Sequence, residues 1–218
     1  MSKKENGMVH FYNNLAKEYD AEQEEFAFVR IPEKELLLTA FKKVLKPDMR
    51  VLEIGAGTGR FTLEIAPHVQ EVVAVDIAEN MLDIMKEKIK NQNIANIQTF
   101  CGDFLDLELE GSFDLIVSFS AIEYVKDVSA LFSKISRLTN TAGQLVLTTA
   151  HNTFLRMFGR VGNYFRQKIY MNAFRKKEMT TILTQYSFTV KELDDLALKS
   201  FFTKGILLFV HAAKRNRD

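Results

Sequence analysis

A single cysteine, Cys101, stands among the 218 residues. One thiol excludes an internal disulfide and a cysteine-based metal cluster, and it fits a reducing cytoplasm. An excess of charge of one sign is also missing. The 29 basic and 28 acidic residues leave a net charge of +1, so the bulk electrostatics give no argument for nucleic acid or a membrane surface. Long hydrophobic runs are lacking too. The run Gly205–Val210 is far too short to span a bilayer. Met1–Gly7 is polar and has no apolar signal-peptide core. Repeats, low-complexity tracts and metal-ligand spacings of His, Asp and Glu do not stand out. What remains is 47% apolar and 26% charged, the composition of an ordinary globular domain. The expectation is a cytoplasmic, metal-independent protein folding as a single domain over 1–218.

Helical spacing of Phe11, Leu15 and Tyr19 predicts a first helix. Pro32 is expected to open a second, lined by Leu36, Leu37, Leu38, Phe41, Val44 and Leu45 and ended by Pro47-Asp48. Together they form a flank over 1–48. From Arg50 short apolar strands alternate with amphipathic helices: strands at 50–54, 71–76, 96–101, 113–119 and 144–149, helices to about Ala66, at 79–90 and at 128–138. This rhythm predicts an α/β fold with a parallel sheet covered on both faces, and a cofactor-binding core over 49–150. Such sheets take ligands beyond the carboxyl ends of their strands. A helical cap over 151–186 and two closing strands over 187–218, antiparallel if they pair, complete a doubly wound, mostly parallel, seven-stranded Rossmann-like sheet.

The most informative stretch is Val51-Leu52-Glu53-Ile54-Gly55-Ala56-Gly57-Thr58-Gly59-Arg60. Three alternating glycines let a backbone turn tightly and approach a ligand. A plain strand-to-helix turn is the competing reading. A dinucleotide fingerprint requires Gly-x-Gly-x-x-Gly, and Arg60 stands at its last position. Glu53 sits poorly beside a pyrophosphate and suits a cationic ligand better. Both features count against a nicotinamide-dependent oxidoreductase. Asp76 ends the second strand, where a carboxylate accepts from both ribose hydroxyls. Asp103 follows the third strand, where it can accept from an exocyclic amine with Phe104 beside a purine. For each acid alone, a helix cap or solvated loop residue is the alternative.

These segments resemble the class I S-adenosylmethionine-dependent methyltransferases. Val51–Thr62 resembles their first motif, Val73–Leu82 the second, Gly102-Asp103-Phe104 the third and Phe113–Val125 the fourth. The flavour is that of small-molecule enzymes, including those of quinone biosynthesis. Asn14–Asp20 is similar to that group's cofactor-covering helix. The resemblance implies S-adenosylmethionine as cofactor. Glu53, Gly55, Ala56 and Gly57 would surround its methionine part. Asp76 would hold the ribose, Ile77 and Met81 the adenine face, and Asp103 and Phe104 the adenine edge. Tyr19 would cover the cofactor, and Phe119 and Ser120 would lie under the sulfonium. Where many relatives carry histidines after the fourth strand, this chain has Glu123-Tyr124, both candidate substrate contacts.

Methyl transfer needs alignment of the reacting atoms more than any diagnostic side chain. His151, just after the fifth strand, is the candidate base; the alternative is that His151-Asn152 starts the next helix. His10, His68 and His211 look unremarkable. The segment 151–177 holds seven basic residues (Arg156, Arg160, Arg166, Lys168, Arg175, Lys176 and Lys177) and no acid, leaving 22 basic against 28 acidic residues elsewhere. Phe154, Phe158, Val161, Phe165 and Ile169 share a helical face there, with Arg156 and Arg160 opposite. It reads as a lid with solvated arginines, as a pocket for an anionic or lipid-like small-molecule substrate, or as a peripheral membrane contact. Nucleic-acid binding is not expected, since no such motif is present. The function read here is methylation of a small molecule at O, C or N, the rival being a non-catalytic S-adenosylmethionine-binding partner protein.

Overall fold

The computed structural model describes residues 5–25, 27–152, 170–196 and 205–216. Two compact units emerge, Met1–Leu109 and Glu110–Asp218.

The first unit begins with α1 (Glu5–Glu25) and α2 (Ala27–Val44). Pro32 lies inside α2 and does not open it. The reason is the burial stripe. Val29, Glu33, Leu37, Ala40, Phe41 and Val44 are all buried, and their three-and-four spacing runs unbroken through the proline. Proline costs the helix a hydrogen bond, but the packed face on either side holds the segment helical. Glu33 is the polar member of that stripe, and Arg30 donates to it at 2.8 Å.

Three parallel strands follow: β1 (Arg50–Ile54), β2 (Glu71–Asp76) and β3 (Ile97–Cys101), in spatial order β3-β2-β1. Their apolar residues Val51, Leu52, Val72, Val73, Ala74 and Val75 are buried, as expected for strands covered on both faces. The helix after β1 is short, α3 (Thr62–Ile65), and passes into a 3-10 turn, Ala66–His68. Pro67 cannot supply the next amide, so the α-helix stops there. Between β2 and β3, α4 (Glu79–Asn91) buries Met81, Leu82 and Met85. Leu82 and Met85 pack on Ala56 and Ala74, with Ile89 and Ile97 beside them.

Gly59 belongs to this packing. Its φ is +85°, and a Cβ there would lie 2.7 Å from Met85 Cγ. Gly59→Ala is expected to destabilise the fold by about 1–3 kcal/mol, from left-handed strain plus overpacking. Adding Met85→Ala relieves the clash but not the strain, so urea midpoints of the two variants separate the contributions.

The second unit holds β4 (Phe113–Phe119), a 3-10 turn at Ile122–Tyr124, α5 (Val128–Leu138), β5 (Thr139–Ala150), α6 (Lys176–Gln185), β6 (Phe188–Leu196) and β7 (Leu207–Lys214). Its strand order is β4-β5-β7-β6. β4 and β5 are parallel, while β7 runs antiparallel to both β5 and β6. Asp127 caps α5 by accepting from the Ala130 amide at 2.8 Å, the usual N-cap arrangement. β5 starts five residues earlier than its apolar pattern indicates. Thr139 pairs with Phe113, then the register shifts before Leu115 meets Gln144. Among the described residues the strands number seven and are mostly parallel, the α/β Rossmann-like pattern expected, with the closing pair antiparallel.

Most of the expected cap, 153–169, lies outside the described residues, and with it Arg156, Arg160, Arg166 and Lys168. The described remainder forms no helix over 170–175, with one isolated bridge at Phe174, before α6 begins.

Candidate active site

In the first unit the carboxyl ends of three parallel strands bring their loops to one edge. Gly55 and Ala56 both donate their amides to the Val75 carbonyl, at 2.8 and 3.0 Å. The loop after β1 is thereby folded onto the end of β2. Gly55, Gly57 and Gly59 all have positive φ, at 76°, 55° and 85°, which side chains with a Cβ rarely adopt. The glycines divide the work. Gly59 is filled by Met85. At Gly57 the only atom near a would-be Cβ, among the described residues, is Tyr19 Cε1 at 3.9 Å. The backbone at Gly57 is the place where a ligand can come close.

Asp76 is oriented by the same loop. Its Oδ2 accepts from the Gly57 amide at 2.7 Å and its Oδ1 from the Ala78 amide at 2.9 Å. Each oxygen keeps further acceptor capacity. Burial pushes its carboxyl up, against the amides of Ala78, Gly57 and Ile77, which favour the ionised form. Glu53, in β1, is buried. Thr62 Oγ1 donates to its Oε2 at 2.5 Å. Burial raises its carboxyl from 4.5 to about 8, with Asp76 adding to the rise and Thr62 opposing it. In the free protein at neutral pH, Glu53 therefore carries a proton that a cationic ligand would displace.

The end of β3 joins the same edge. Gly102 donates to the Asp76 carbonyl at 2.9 Å, and Cys101 Sγ lies 3.9 Å from the Ile77 carbonyl. Asp103 accepts from the Leu105 amide at 2.8 Å through one oxygen, an Asx turn. The Phe104 ring is buried. Arg60, at the position where a dinucleotide fold needs glycine, turns away to α2. It donates to the Arg30 carbonyl at 3.0 Å and lies over the Phe61 ring at 5.1 Å.

Helix α1 lies across this edge. Ala16 packs with Ala78 and Met81, flanked by Tyr12, Tyr19 and Ile84. Asn13 accepts two hydrogen bonds from Asn80 at the start of α4, one from its backbone amide and one from its side chain. Asp20 accepts from Thr58 Oγ1 in the glycine loop and from Lys88 Nζ in α4, both at 2.6 Å. Burial alone would raise the Asp20 carboxyl; the bonds from Lys88 and Thr58 outweigh it and hold it low. Asp20 stood in the segment read as a covering helix, but nothing in the sequence points to Thr58 or Lys88 as its partners.

In the second unit the carboxyl ends of β4 and β5 carry the remaining candidates. Ser120, next after Phe119, has φ 52° and donates its amide to the Thr148 carbonyl at 2.9 Å. A non-glycine residue held at positive φ is a local strain that surrounding structure must sustain. Glu123 is buried, and its Oε2 accepts from Thr149 Oγ1 at 3.1 Å. Tyr124 is half-buried and closes the 3-10 turn on Ala121. The returning segment docks here: Asn172 donates its amide to the Glu123 carbonyl at 2.6 Å and its side chain to the Val125 carbonyl at 2.7 Å.

His151 itself is not helical, and the residues from 153 to 169 that a following helix would occupy lie outside those described. His151 bridges to Phe174, and its amide donates to the Ile206 carbonyl at 3.0 Å. Its ring is buried, with Nδ1 3.4 Å from Asp195 Oδ1 at the end of β6. Lys176 Nζ lies 3.2 Å from the other oxygen of Asp195. No sequence pattern pairs His151 with Asp195, 44 positions apart. No helix among the described residues is long and apolar enough to cross a membrane.

Residues 51–143, from β1 into β5, match the family model described as a methyltransferase domain. Over those residues the chain is similar to methyltransferase domains, and its fold is the Rossmann-like one of such enzymes. A malonyl-[acyl-carrier protein] O-methyltransferase of Priestia megaterium is 26% identical over 161 residues, covering 72% of this chain and 56% of that protein. A magnesium-protoporphyrin O-methyltransferase of Rhodobacter capsulatus is 33% identical over 119 residues, covering 53% of this chain and 52% of that protein. The chain thus spans about half the length of the curated relatives it matches. A solved DhpI–SAH complex superposes with a TM-score of 0.74 over 98% of both chains at 15% identity, which shows that the fold is shared.

Proposed function

We propose that this protein transfers a methyl group from S-adenosylmethionine to an oxygen of a small, anionic acceptor. The observation that carries the cofactor is the bond from the Gly57 amide to Asp76, which sets a bare backbone and an oriented carboxylate side by side. Asp76 offers its remaining acceptor capacity to ribose hydroxyls. Glu53 offers a buried carboxyl to the methionine ammonium. Tyr19 on α1, Met81 on α4, and Gly55, Ala56, Ile77, Asp103 and Phe104 in the loops after the strands take the parts the family resemblance gives them. Phe119, Ser120, Glu123, Tyr124 and His151 serve the sulfonium and the acceptor. The bound cofactor supplies a methyl group on a sulfonium, whose leaving group is a neutral thioether. The chain's own task is orientation and exclusion of water, worth roughly 7–11 kcal/mol of barrier when the geometry is right.

Two observations support an oxygen acceptor with negative charge. Both curated relatives are named O-methyltransferases. The segment 151–177 concentrates seven basic residues without an acid, which favours an anion on electrostatic grounds. The unit of function is proposed to be the whole of 1–218, with flank, core, cap and closing strands as read above, working in the cytoplasm without metal. The test is calorimetric titration with S-adenosylhomocysteine, then transfer of labelled methyl to a panel of carboxylic acids, phenols and amines. Saturable binding near one per chain and label on oxygen supports the proposal. No binding sinks the cofactor reading, and label confined to amines sinks the acceptor class.

A further inference from the structure

The end of β6 contributes a group that the glycine-loop motifs do not. We propose that Asp195 is a positioning residue for His151, the two forming a carboxylate–imidazole pair that receives the proton of a protonated acceptor. The inference rests on the methyltransferase reading and adds a proton-handling site to it.

The geometry is built by three chain crossings at one corner. β7 runs antiparallel to both β5 and β6, so the ends of β5 and β6 lie at the same edge. His151 donates its amide to the Ile206 carbonyl, and Ile206 in turn donates to the Leu196 carbonyl at 3.1 Å. These bonds hold the start of β7 as a narrow spacer between His151 and Asp195. Gly205 makes the spacer narrow enough. It sits at φ +77°, and a Cβ there would be 3.0 Å from Asp195 Cβ and from the Leu196 backbone. Across it His151 Nδ1 and Asp195 Oδ1, both buried atoms, face each other at 3.4 Å. Protonation of the imidazole turns this approach into a charge-assisted hydrogen bond, which draws the pair together.

The charges around the pair set its character. Lys176, from α6, holds the second oxygen of Asp195 at 3.2 Å and reaches Asp194 at 3.9 Å. Glu123 lies on the same edge through its bond to Thr149, two residues before His151. Asp195 favours the imidazolium. Lys176 shares the charge of Asp195 and moderates its pull. A neutral imidazole so placed can take up a proton as a general base does.

The proton balance is simple. An acceptor O–H or N–H gives up one proton as its oxygen or nitrogen gains the methyl group, while the bonding pair of the old bond stays on the donor sulfur. His151 takes the proton and becomes imidazolium, Asp195 carries the balancing charge, and the proton later leaves to water.

The experiment follows the imidazole signals of the full chain by NMR across pH, with His151 assigned from His151→Gln. Asp195→Asn is expected to lower the His151 midpoint by about one unit, whereas Asp194→Asn leaves it in place. In the same preparations, S-adenosylhomocysteine affinity should be unchanged, and turnover with a protonated acceptor should fall at least about tenfold in kcat with KM held. Asp195→Glu should recover part of that loss. An unmoved midpoint in Asp195→Asn overturns the pairing. A moved midpoint with full turnover shows a structural ion pair and overturns the catalytic part. Loss of S-adenosylhomocysteine binding by the wild-type chain would defeat the methyltransferase reading itself, which the NMR midpoint reports on separately.

Discussion

Asp76→Ala should weaken S-adenosylhomocysteine binding at least about 100-fold. The carboxylate is asked to make two charge-assisted hydrogen bonds to ribose hydroxyls, each worth about 1.5–3 kcal/mol, and roughly 1.4 kcal/mol is a factor of ten in affinity. A second loss adds to the first. Gly57 and Ala78 would both be left without their acceptor, so the loop would no longer be held in its binding shape before the ligand arrives. Asp76→Asn separates the two effects. The amide keeps the size of the side chain and one acceptor oxygen, but its nitrogen must face one of the two backbone amides. Its affinity should fall between wild type and Asp76→Ala. Calorimetry on the three proteins, at a pH where all are folded by circular dichroism, decides it. Unchanged affinity in Asp76→Ala would remove Asp76 from the ribose site.

The strands that carry this site were legible because burial on both faces leaves a simple trace. β1, β2 and β4 are runs of apolar residues bounded by polar or glycine turns, and the structure starts and stops them where the sequence does. The glycine loop was legible for a different reason: only glycine tolerates three positive φ values in five residues. The separate tasks of its glycines were not. Whether Gly57 faces open space or Gly59 faces Met85 depends on how α4 packs, a tertiary matter. The start of β5 was hidden because Thr139–Gly143 is small and polar, and pairing with Phe113 places it there, not propensity. Pro32 misled because proline is a strong local signal for a helix start, while the buried stripe of α2 is a longer-range one. Partners that meet through folding alone, Asp20 with Thr58 and Lys88, or His151 with Asp195, leave no periodic mark at all.

If the ligand's ammonium sits beside Glu53 as proposed, this buried carboxyl acts as a proton switch, and that gives the second large effect. The free protein holds Glu53 protonated up to about pH 8. A ligand ammonium beside it favours the ionised carboxylate, so binding must expel a proton at lower pH. Affinity for S-adenosylhomocysteine should therefore climb by up to about tenfold per pH unit between pH 6 and 8, then level off as Glu53 ionises in the free protein. The ligand's own amine also titrates, but equally for every variant. The ratio of wild-type to Glu53→Gln affinity isolates the switch: it should rise by up to about 100-fold over those two units. Stability runs the other way. Because folding raises this carboxyl above its usual 4.5, the neutral form is favoured in the folded state. That contribution is complete below about pH 4.5 and is lost as pH rises to about 8. The unliganded wild type should thus lose roughly 4–5 kcal/mol relative to Glu53→Gln across the window. Opposite pH slopes for stability and binding, both abolished in Glu53→Gln, are the signature of one buried group serving both. Parallel wild-type and Glu53→Gln curves in either measurement would mean that Glu53 stays ionised in the fold or lies away from the ligand's charge.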